Sequence, residues 1–468
     1  MPAPASSEPT IAALATPAGP GGIGVLRISG TEAHAILARL FVPTRPRAHL
    51  TGHRLTHGWI VHPDRRTPID EVLAVVMHAP HTYTREDVAE IHCHGSSLLL
   101  QEILDLVLAA GARLATPGEF TKRAFLNGRI DLTQAEAVAE LLEAKTKEGV
   151  QLAVNQLKGR LHQRVGVIRE ALIAARAVIE VAIDFPEDDV EILRPATLAA
   201  DLRQQAEMPL AELIANADQG SIFRDGISVV ILGRPNVGKS SLLNSLLKEE
   251  RAIVTPVPGT TRDTIEEYLN IKGMPVRIID TAGIRDHAEA VEEIGIQRAR
   301  EKMAGADLVL LLTDASRPLT DEDRSLLASL GDKPHLLVAN KMDLTADRDA
   351  ALAAIRTALP DAPPPVAISA KANTGISKLE EAIFATVTGQ ESLRDPEHAC
   401  VPNLRHKAAL IGALATCRQV LAGLDEGVPA DLVSVDLQAA LNHLGDIVGE
   451  TTTEDVLDMI FERFCIGK

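Results

Sequence analysis

The sequence predicts an α/β protein of several domains: an N-terminal α+β domain, then a helical domain interrupted by an inserted domain with a mostly parallel sheet. Three regions of the chain with different residue patterns predict this fold class. Short β-rich runs with Gly and Pro turns occupy residues 11 to about 117, and helical periodicity without proline fills 118 to 185. Strands then alternate with helical segments from 226 to about 385. At about 150 residues per domain, 468 residues suit roughly three domains.

The N-terminal segment mixes predicted strands with a helix. Strands are expected at Ile23–Ile28, Val72–Met77 and Val88–His92, where β-branched residues are bounded by turn residues. Apolar residues at helical spacing predict a helix over Leu98–Ala110. This mixture is typical of an α+β domain.

Helical patterns flank the strand-rich segment on both sides. The first flank continues through Ala196–Ala217, with an interruption expected at Pro209, and the second begins near residue 397. Two helical flanks predict one helical domain that receives an insertion. The predicted ranges are 1–119 for the N-terminal domain, 120–220 with 386–468 for the helical domain, and 221–385 for the insertion.

The insertion alternates apolar strands with helices, which predicts a parallel sheet covered on both faces. Its strands are expected at Ile227–Leu232, Val276–Asp280, Leu308–Leu312, Leu336–Asn340 and Val366–Ser369.

Charge, cysteine content and hydropathy exclude several classes of protein. The net charge of −17 argues against wrapping of nucleic acid by the whole surface, although a local basic patch stays open. Four widely spaced cysteines predict reduced thiols and a cytoplasmic location. We expect no signal peptide, because the first residues lack a basic and an apolar region, and no membrane span.

A glycine-rich segment marks a phosphate site. Gly233–Ser240 matches G-x-x-x-x-G-K-[ST] between an apolar strand and a helical run, the context that makes a chance glycine turn improbable. Backbone N–H groups would surround the phosphates. Lys239 is expected on the β- and γ-phosphates and Ser240 on Mg²⁺.

A second motif indicates the base. Asn340-Lys-Met-Asp343 ends a strand, and a carboxylate at Asp343 can accept from guanine N1–H and its 2-amino group. Adenine offers neither donor. Ser369-Ala-Lys371 follows the next strand, and together these motifs predict GTP rather than ATP.

The residues that would carry out GTP hydrolysis are harder to assign from the sequence. Asp280-Thr-Ala-Gly283 is expected near Mg²⁺ and the γ-phosphate, with Thr261 as a second magnesium ligand. Ile284 stands where Ras-type enzymes carry the glutamine that orients water, so the enzyme is idle or another group does this work. Arg285 and the acidic residues Glu289, Glu292 and Glu293 follow closely, and each glutamate is either that group or part of a solvated helix face.

Two other groups carry no function in this interpretation. His92 and His94 share one strand face and are expected as ordinary strand histidines rather than metal ligands. The acidic residues Asp314, Asp321, Glu322 and Asp323 are expected in a solvated loop.

Together these motifs resemble the MnmE (TrmE) family of tRNA uridine-34 (5-carboxymethylaminomethyl) modification GTPases, over essentially the whole chain. The more specific segments are Pro117-Gly-Glu-Phe-Thr-Lys-Arg-Ala-Phe-Leu-Asn127 and Cys465-Ile-Gly-Lys468; Gly259-Thr-Thr-Arg-Asp263 and the run from Gly21 to Gly30 also match. The inserted domain is then a Ras-like P-loop GTPase domain.

The resemblance implies potassium-activated GTP hydrolysis by GTPase modules that pair across a homodimer. Potassium would be bound by Asn236, Thr255, Val257 and Thr260, and Glu292 would position the water. The residues that would contact GTP or its ions are Asn236, Val237, Gly238, Lys239, Ser240, Ser241, Thr255, Thr260, Thr261, Asp280, Thr281, Ala282, Gly283, Asn340, Lys341, Asp343, Ser369, Ala370 and Lys371.

The resemblance also implies a tetrahydrofolate site and dimer contact in residues 1–119. Arg27, Glu90 and Arg129 would bind 5-formyl- or methylene-tetrahydrofolate, with Lys468 nearby and Cys465 close to the one-carbon group. An FAD-dependent partner, MnmG, would join in a heterotetramer or larger complex. The two would add an aminomethyl or carboxymethylaminomethyl group at C5 of the wobble uridine of certain tRNAs.

Two rival functions stay open. A ribosome-assembly or RNA-binding switch GTPase would carry a second GTPase module or a basic C-terminal RNA-binding region. A membrane-remodelling GTPase would carry an amphipathic basic helix or a hydrophobic paddle. The sequence favours neither.

Overall fold

A computed structural model of the chain describes residues 8–17, 19–45, 50–185, 194–250, 267–279, 303, 305–389 and 399–468. Within these ranges the structure has two sheets and a bundle of helices, and the predicted fold class is confirmed.

The first sheet has seven strands in the order β3-β4-β5-β6-β2-β1-β7. Neighbouring strands are antiparallel except β1 and β7, which run parallel. Along β5 buried and exposed residues alternate, as expected where one face packs on a core. The strands are β1 (Ile11–Leu14), β2 (Gly21–Ser29), β3 (Phe41–Pro43), β4 (Thr56–Val61), β5 (Pro68–Met77), β6 (Val88–Gly95) and β7 (Arg113–Leu114).

Two helices cover this sheet, and a third follows it. Helices α1 (Ala33–Leu40) and α2 (Ser97–Ala109) bury their apolar residues against β2, β5 and β6 in one core. The helix expected at Leu98–Ala110 is confirmed within one residue. Helix α3 (Glu119–Leu126) leads into the helical part of the chain.

Helices from both flanks of the insertion share a single core. Buried residues between Leu161 and Leu213 pack against buried residues between Leu410 and Val448. The helices of the flanks are α4 (Leu132–Glu143), α5 (Lys147–Leu157), α6 (Arg160–Asp184), α7 (Pro195–Leu202), α8 (Met208–Asp225), and, after the insertion, α13 (Leu404–Glu426), α14 (Ala430–Val448) and α15 (Glu454–Phe461).

Local sequence explains several helix boundaries. Asp131 begins α4 with a capping box completed by Gln134, and Asn403 begins α13 with one completed by His406. The interruption expected at Pro209 is confirmed, because a π-helical stretch over Arg203–Glu207 separates α7 from α8 directly before it. Proline cannot donate the i→i−4 hydrogen bond, which favours such an irregular turn.

The second sheet has the order β13-β12-β11-β8-β10-β9 and is parallel except for the β9–β10 pair. Every residue of β8 and β11 is buried, as in a sheet covered on both faces. Its strands are β8 (Ile227–Leu232), β9 (Glu267–Ile271), β10 (Met274–Ile278), β11 (Leu308–Asp314), β12 (His335–Asn340) and β13 (Val366–Ala367), and its helices are α9 (Lys239–Glu250), α10 (Asp321–Leu330), α11 (Arg348–Ala358) and α12 (Ile376–Thr388).

The five strands expected here are all present, with shifted ends. Strand β8 matches its predicted bounds, whereas β10 starts two residues earlier than expected. Strand β13 is only two residues long, because Ser369 instead pairs with Thr374 across a turn. The carboxyl ends of β8, β12 and β13 therefore meet at one edge, where ligands of open α/β sheets bind.

Helix α13 is apolar and long enough to pass a length-and-composition test for a membrane span, with a mean hydropathy of 1.2 over its best window. Its inward residues, among them Leu410, Ala413 and Cys417, are fully buried against the other helices. We therefore describe α13 as a core helix of the bundle.

Candidate functional site

The phosphate loop, residues 233–240, connects β8 to α9 at the carboxyl edge of the second sheet. The first residue of α9 is Lys239, so the N-terminus of the helix faces the loop. A helix N-terminus carries partial positive charge and unpaired N–H groups, which favour bound phosphate. The predicted strand–loop–helix context of the motif is thus present.

The glycines of the loop are required by its close approach to neighbouring backbone. Gly233 has φ +151°, and a Cβ there would lie 2.5 Å from the carbonyl oxygen of Leu312. Gly238 has φ +102°, and a Cβ there would lie 2.3 Å from Asn340 Nδ2. A side chain at either position would displace the loop from the sheet.

Asn236 stands at the exposed turn of the loop. Its φ of +62° lies in the left-handed region, which asparagine tolerates better than most residues. The adjacent Val237 is buried and anchors the loop in the core. Asn236 is consequently exposed at the open turn of the loop, and its prediction as a potassium ligand stays a prediction.

Lys239 folds back over the loop. Its Nζ donates to the carbonyl oxygens of Gly233 at 2.7 Å and Arg234 at 2.8 Å. These acceptors hold the ammonium group across the cradle of the loop, so it needs only a short movement to contact phosphate oxygens. Ser240 follows it in the first turn of α9, as the motif requires of a magnesium ligand.

Asn340 joins the phosphate loop to the base end of the site. Its Nδ2 donates to the carbonyl oxygen of Val237 at 2.8 Å, and its Oδ1 accepts from the backbone N–H of Ala370 at 3.0 Å. Its side chain is almost fully buried. Asn340 therefore fixes the relative position of three loops, and its amide retains one N–H donor and one acceptor lone pair for a base.

Asp343 lies beside Ser369. The hydroxyl of Ser369 donates to Asp343 Oδ1 at 2.6 Å and accepts from the backbone N–H of Ala372 at 3.1 Å. The hydroxyl of Ser369 thus orients one carboxylate oxygen of Asp343, and the other oxygen can accept from guanine. Lys371 follows Ala370 in the same turn. The base-recognition residues predicted from sequence are therefore brought together.

Asp314 corrects the expectation of a solvated acidic loop. It ends β11, is buried, and accepts from Lys341 Nζ at 2.7 Å. Burial raises its pKa, but the hydrogen bonds from Lys341 and Ser316 outweigh burial and hold the pKa of this carboxyl below its usual value. Asp314 therefore positions the lysine of the base motif, whose own φ is +63°.

Asp323 corrects the same expectation, because it is only 1% exposed. Its Oδ2 accepts from the backbone N–H of Thr320 and closes the cap of α10, while its Oδ1 accepts from Arg234 Nε at 3.0 Å. Arg234 belongs to the phosphate loop, so this pair ties the loop to α10. The neighbours Asp321 and Glu322 are exposed as predicted, but they lie in the first turn of α10 rather than in a loop.

A second cluster of predicted site residues lies on the first sheet. Arg27 on β2 and Glu90 on β6 are cross-strand partners, and Arg27 Nε donates to Glu90 Oε1 at 2.8 Å. The Arg27 guanidinium lies over the rings of Tyr83 and Phe120, 5.7 and 5.8 Å from their centroids. Arg129 approaches the Tyr83 ring at 4.7 Å. Two arginines, one carboxylate and two aromatic rings thus converge.

The C-terminal segment docks beside this cluster. The backbone N–H of Phe120 donates to the carbonyl oxygen of Lys468 at 3.2 Å, and that of Gly118 to Cys465 at 3.4 Å. Gly467 has φ +97°, and a Cβ there would lie 2.1 Å from the carbonyl oxygen of Leu14. Cys465 is exposed. Residues 465–468 therefore lie against β1 and the start of α3, which agrees with the position expected for Lys468.

The run from Pro117 to Asn127 contains structural contacts that the sequence did not predict. Arg123 is 2% exposed and donates to both carboxylate oxygens of Glu86 at 3.1 Å and to Glu119 Oε1 at 2.9 Å. Ser29 Oγ donates to Glu86 as well, at 2.7 Å. These contacts fasten α3 to the 78–87 loop that carries Tyr83. Only the contact with Glu119 is local, at i,i+4 spacing, whereas Glu86 and Ser29 are distant from α3 in sequence and no local pattern reveals those contacts.

The histidines of β6 behave as expected. His92 Nε2 lies 3.2 Å from Glu90 Oε2, and His94 Nδ1 lies 2.7 Å from Asp70 Oδ1. The hydrogen bond from Asp70 raises the pKa of His94. Each imidazole has a protein partner and is an ordinary strand histidine.

Several predicted residues lie outside the described part of the chain, and their predictions stand untested. They are Thr255, Val257, Thr260, Thr261, Asp280, Thr281, Ala282, Gly283 and Glu292.

Comparisons with known proteins agree with this arrangement. A family model described as the MnmE helical domain matches residues 132–465, and one described as the GTP-binding protein TrmE N-terminus matches residues 10–129. The tRNA modification GTPase MnmE of Desulfotalea psychrophila is 51% identical over 460 residues, covering 98% of each chain. That of Chloroflexus aurantiacus is 48% identical over 470 residues, covering 98% of this chain and 99% of the relative.

Among solved structures, Era of Aquifex aeolicus bound to GDP and AlF4⁻ is 27% identical and covers 41% of this chain and 66% of its own, with a TM-score of 0.28.

Proposed function

This chain belongs to the MnmE family of tRNA modification GTPases, and from that premise we propose that it is a potassium-activated GTPase whose modules pair in a homodimer. We further propose that it acts with an FAD-dependent MnmG protein and a tetrahydrofolate one-carbon unit on C5 of the wobble uridine of certain tRNAs. The reduced thiols of all four cysteines suit the proposed cytoplasmic location. The domain ranges 1–119, 120–220 with 386–468, and 221–385 are part of the proposal.

The observation that carries the GTPase proposal is the joining of the phosphate loop to the base motif through Asn340. In this arrangement Lys239 exchanges its loop carbonyls for phosphate oxygens, and Asp343, oriented by Ser369, accepts from guanine. Because these groups are held before the nucleotide arrives, binding needs little rearrangement of the loops.

The donor set also fits the two proposed ions. The hydroxyl of Ser240 is an oxygen ligand of the kind magnesium takes, and the exposed amide of Asn236 offers a neutral oxygen of the kind that suits potassium. When bound, the ions neutralise negative charge that develops on the phosphates. Thr261, Thr255, Val257 and Thr260 would complete the two sets, and Glu292 would orient the water.

The first-sheet cluster supports the folate proposal by its chemistry. Glu90 can accept from the amino-pyrimidinone edge of a pterin, and the Tyr83 and Phe120 rings offer flat apolar faces for stacking. Arg27, Arg129 and Lys468 supply positive charge for a glutamate tail. Cys465, exposed beside this cluster, is proposed to approach the one-carbon group.

GTP turnover in matched KCl and NaCl buffers tests the potassium proposal. We expect strong stimulation by potassium in the native chain and its loss in Asn236→Ala. Asn373→Ala is the matched control, because Asn373 also has a left-handed backbone, with φ +53°, but lies in the turn after Ala370. Equal turnover in both salts would contradict the Asn236 and Glu292 assignments and favour an RNA-binding switch GTPase instead.

Calorimetric titration with 5-formyl-tetrahydrofolate tests the second site. Arg27→Ala, Glu90→Gln and Arg129→Ala should each weaken binding, whereas Arg39→Ala, which removes an exposed arginine on α1, should not. Unchanged binding in all three variants would contradict the folate proposal while leaving the GTPase proposal intact.

Cysteine 465 needs a separate experiment. Cys465→Ser should abolish modification of tRNA by the complete system while GTP hydrolysis and folate binding persist. Retained modification would remove Cys465 from the proposed chemistry.

A further inference from the structure

A group of three potential metal ligands lies at one edge of the first sheet. His34 is on α1, His78 follows β5, and Asp87 precedes β6. One ligand atom from each lies within 4.8 Å of the other two. We propose that His34, His78 and Asp87 form a binding site for Zn²⁺, apart from the residues that bind nucleotide or folate.

The hydrogen bonds of His34 fix the protonation of its ring. Its Nε2 lies 3.1 Å from the carbonyl oxygen of Met77 and 3.2 Å from that of Val88. A carbonyl oxygen can only accept, so Nε2 carries hydrogen, and in the neutral ring the lone pair is on Nδ1. Metal-binding histidines are typically oriented in this way, by donating their other ring N–H to a carbonyl or carboxylate.

The lone pair of His34 faces a carboxylate across a gap that suits an ion. Nδ1 lies 3.8 Å from Asp87 Oδ2, which is longer than a hydrogen bond. Tetrahedral ligands about 2.1 Å from zinc lie about 3.4 Å from each other, so a zinc ion fits between these atoms with little adjustment. Asp87 is itself oriented, because its Oδ1 accepts from the backbone N–H of Ala79 at 3.0 Å.

The third ligand completes the site from the surface. The His78 ring packs edge-on against His34, with centroids 4.7 Å apart and an interplanar angle of 85°. His78 is exposed, so its side chain can turn by the roughly 1 Å that separates the observed spacing from tetrahedral geometry. Two imidazoles and one carboxylate favour zinc over magnesium, which prefers oxygen ligands, and leave one position for water.

The position of the site suggests what the ion would do. His78 and Asp87 bracket the 78–87 loop, which carries Tyr83 of the folate cluster, and His34 ties both ends to α1. The same loop is already held from inside by Glu86 through Ser29 and Arg123. An ion would close the loop at its base and stabilise the folded state in proportion to its occupancy.

The test uses untagged full-length protein that has been stripped with a chelator and titrated calorimetrically with ZnCl₂. We expect one Zn²⁺ per chain, an increase in the melting temperature on binding, and no competition by excess Mg²⁺. His34→Gln and Asp87→Asn should each lower zinc affinity at least about tenfold. The melting temperature of each chelator-stripped variant, compared with that of the stripped native chain, shows whether the N-terminal domain is folded.

His57→Gln is the matched control, because His57 also lies 2.9 Å from a carboxylate, that of Glu71, on the same sheet but outside the group. It should bind zinc like the native chain. Absence of stoichiometric binding, or equal affinity in the native, His34→Gln and Asp87→Asn proteins, would overturn the proposal.

Discussion

The two candidate sites of this molecule are assembled in different ways. The nucleotide end draws on three loops that leave the carboxyl edge of one sheet, and each loop carries a short, contiguous motif. The first-sheet site draws single residues from β2, β6, the 78–87 loop and α3, with the C-terminal segment docked beside them.

This difference explains why one site can be recognised from the sequence and the other cannot. A loop that surrounds phosphate must offer several successive N–H groups, so its residues stay adjacent in the chain. A site that binds a planar ligand between strands needs one side chain from each element, so its residues are scattered. The two sites should accordingly fail independently, and the predictions for Lys239 and Gly467 test that independence.

The largest effect is expected from Lys239→Ala. Removing the ammonium group leaves the phosphate cradle without its mobile positive charge, and GTP turnover should fall at least about 100-fold, or roughly 3 kcal/mol of transition-state stabilisation. Lys248→Ala, near the other end of α9, should turn over GTP normally. Folate binding should be unchanged in both variants, and a parallel loss there would break the independence of the two sites.

Asp343→Asn is expected to have the next largest effect. An asparagine amide cannot accept from both guanine donors, so affinity for GTP should fall about 100-fold, and affinity for xanthosine triphosphate, whose C2 carbonyl accepts instead, should rise. Binding of the two nucleotides is measured by competition with a fluorescent analogue. Asp347→Asn, which keeps a capping side chain at the start of α11, should retain the preference for GTP.

The contrast also explains what sequence could predict. Strand β8, the phosphate loop and the base motif were predicted because apolar runs and glycine spacing are local signals. Asp314 and Asp323 were wrongly expected to be solvated, because their partners Lys341 and Arg234 are distant in sequence. A carboxylate looks the same in a sequence whether it faces water or a buried cation.

The first-sheet site was accessible only through family resemblance. Neither Arg27 nor Glu90 has a local pattern that separates it from a surface ion pair, and the pairing itself depends on the register of β2 against β6. Buried Arg123 has the same character, since its partner Glu86 comes from another element. Long-range pairing of charged residues is decided by topology, which local periodicity does not contain.

Gly467→Ala tests the independence of the two sites by disturbing the first-sheet site. With φ +97° and only 2.1 Å to the carbonyl oxygen of Leu14, an added Cβ must displace the C-terminal turn from the first sheet. We expect folate affinity to fall about tenfold, or roughly 1.4 kcal/mol, with GTP turnover unchanged.

Gly111→Ala is the matched control for this substitution. Its φ of +115° imposes similar backbone strain, but an added Cβ there has no atom within 4 Å among the described residues. Folate affinity should stay near the native value. If Gly111→Ala weakened folate binding as much as Gly467→Ala, general strain rather than docking of the C-terminal turn would be the cause.

A last prediction concerns the connection between the two halves, and it changes stability rather than either site. Glu140 on α4 lies near Arg224, in the last turn of α8 before β8, and Arg224 also donates to Pro402 where the chain returns from the insertion. Burial raises the pKa of Glu140 to about 7, with the charge of Arg224 acting against this shift. Its usual value is 4.5, so between these values the folded state keeps a proton that the unfolded state has lost.

This carboxyl should therefore make the protein less stable as pH rises from about 4.5 to 7. Glu140→Gln removes that dependence and should exceed the native chain in stability by about 3 kcal/mol at pH 8, with little difference near pH 4.5. Urea unfolding at the two pH values measures it, and Glu143→Gln, on the exposed face of the same helix, should follow the native curve. If the free energy of unfolding changed with pH in the same way for Glu140→Gln and the native chain, Glu140 would be ionised and paired with Arg224. The two halves would then be joined by a buried ion pair rather than by a neutral, hydrogen-bonded carboxyl.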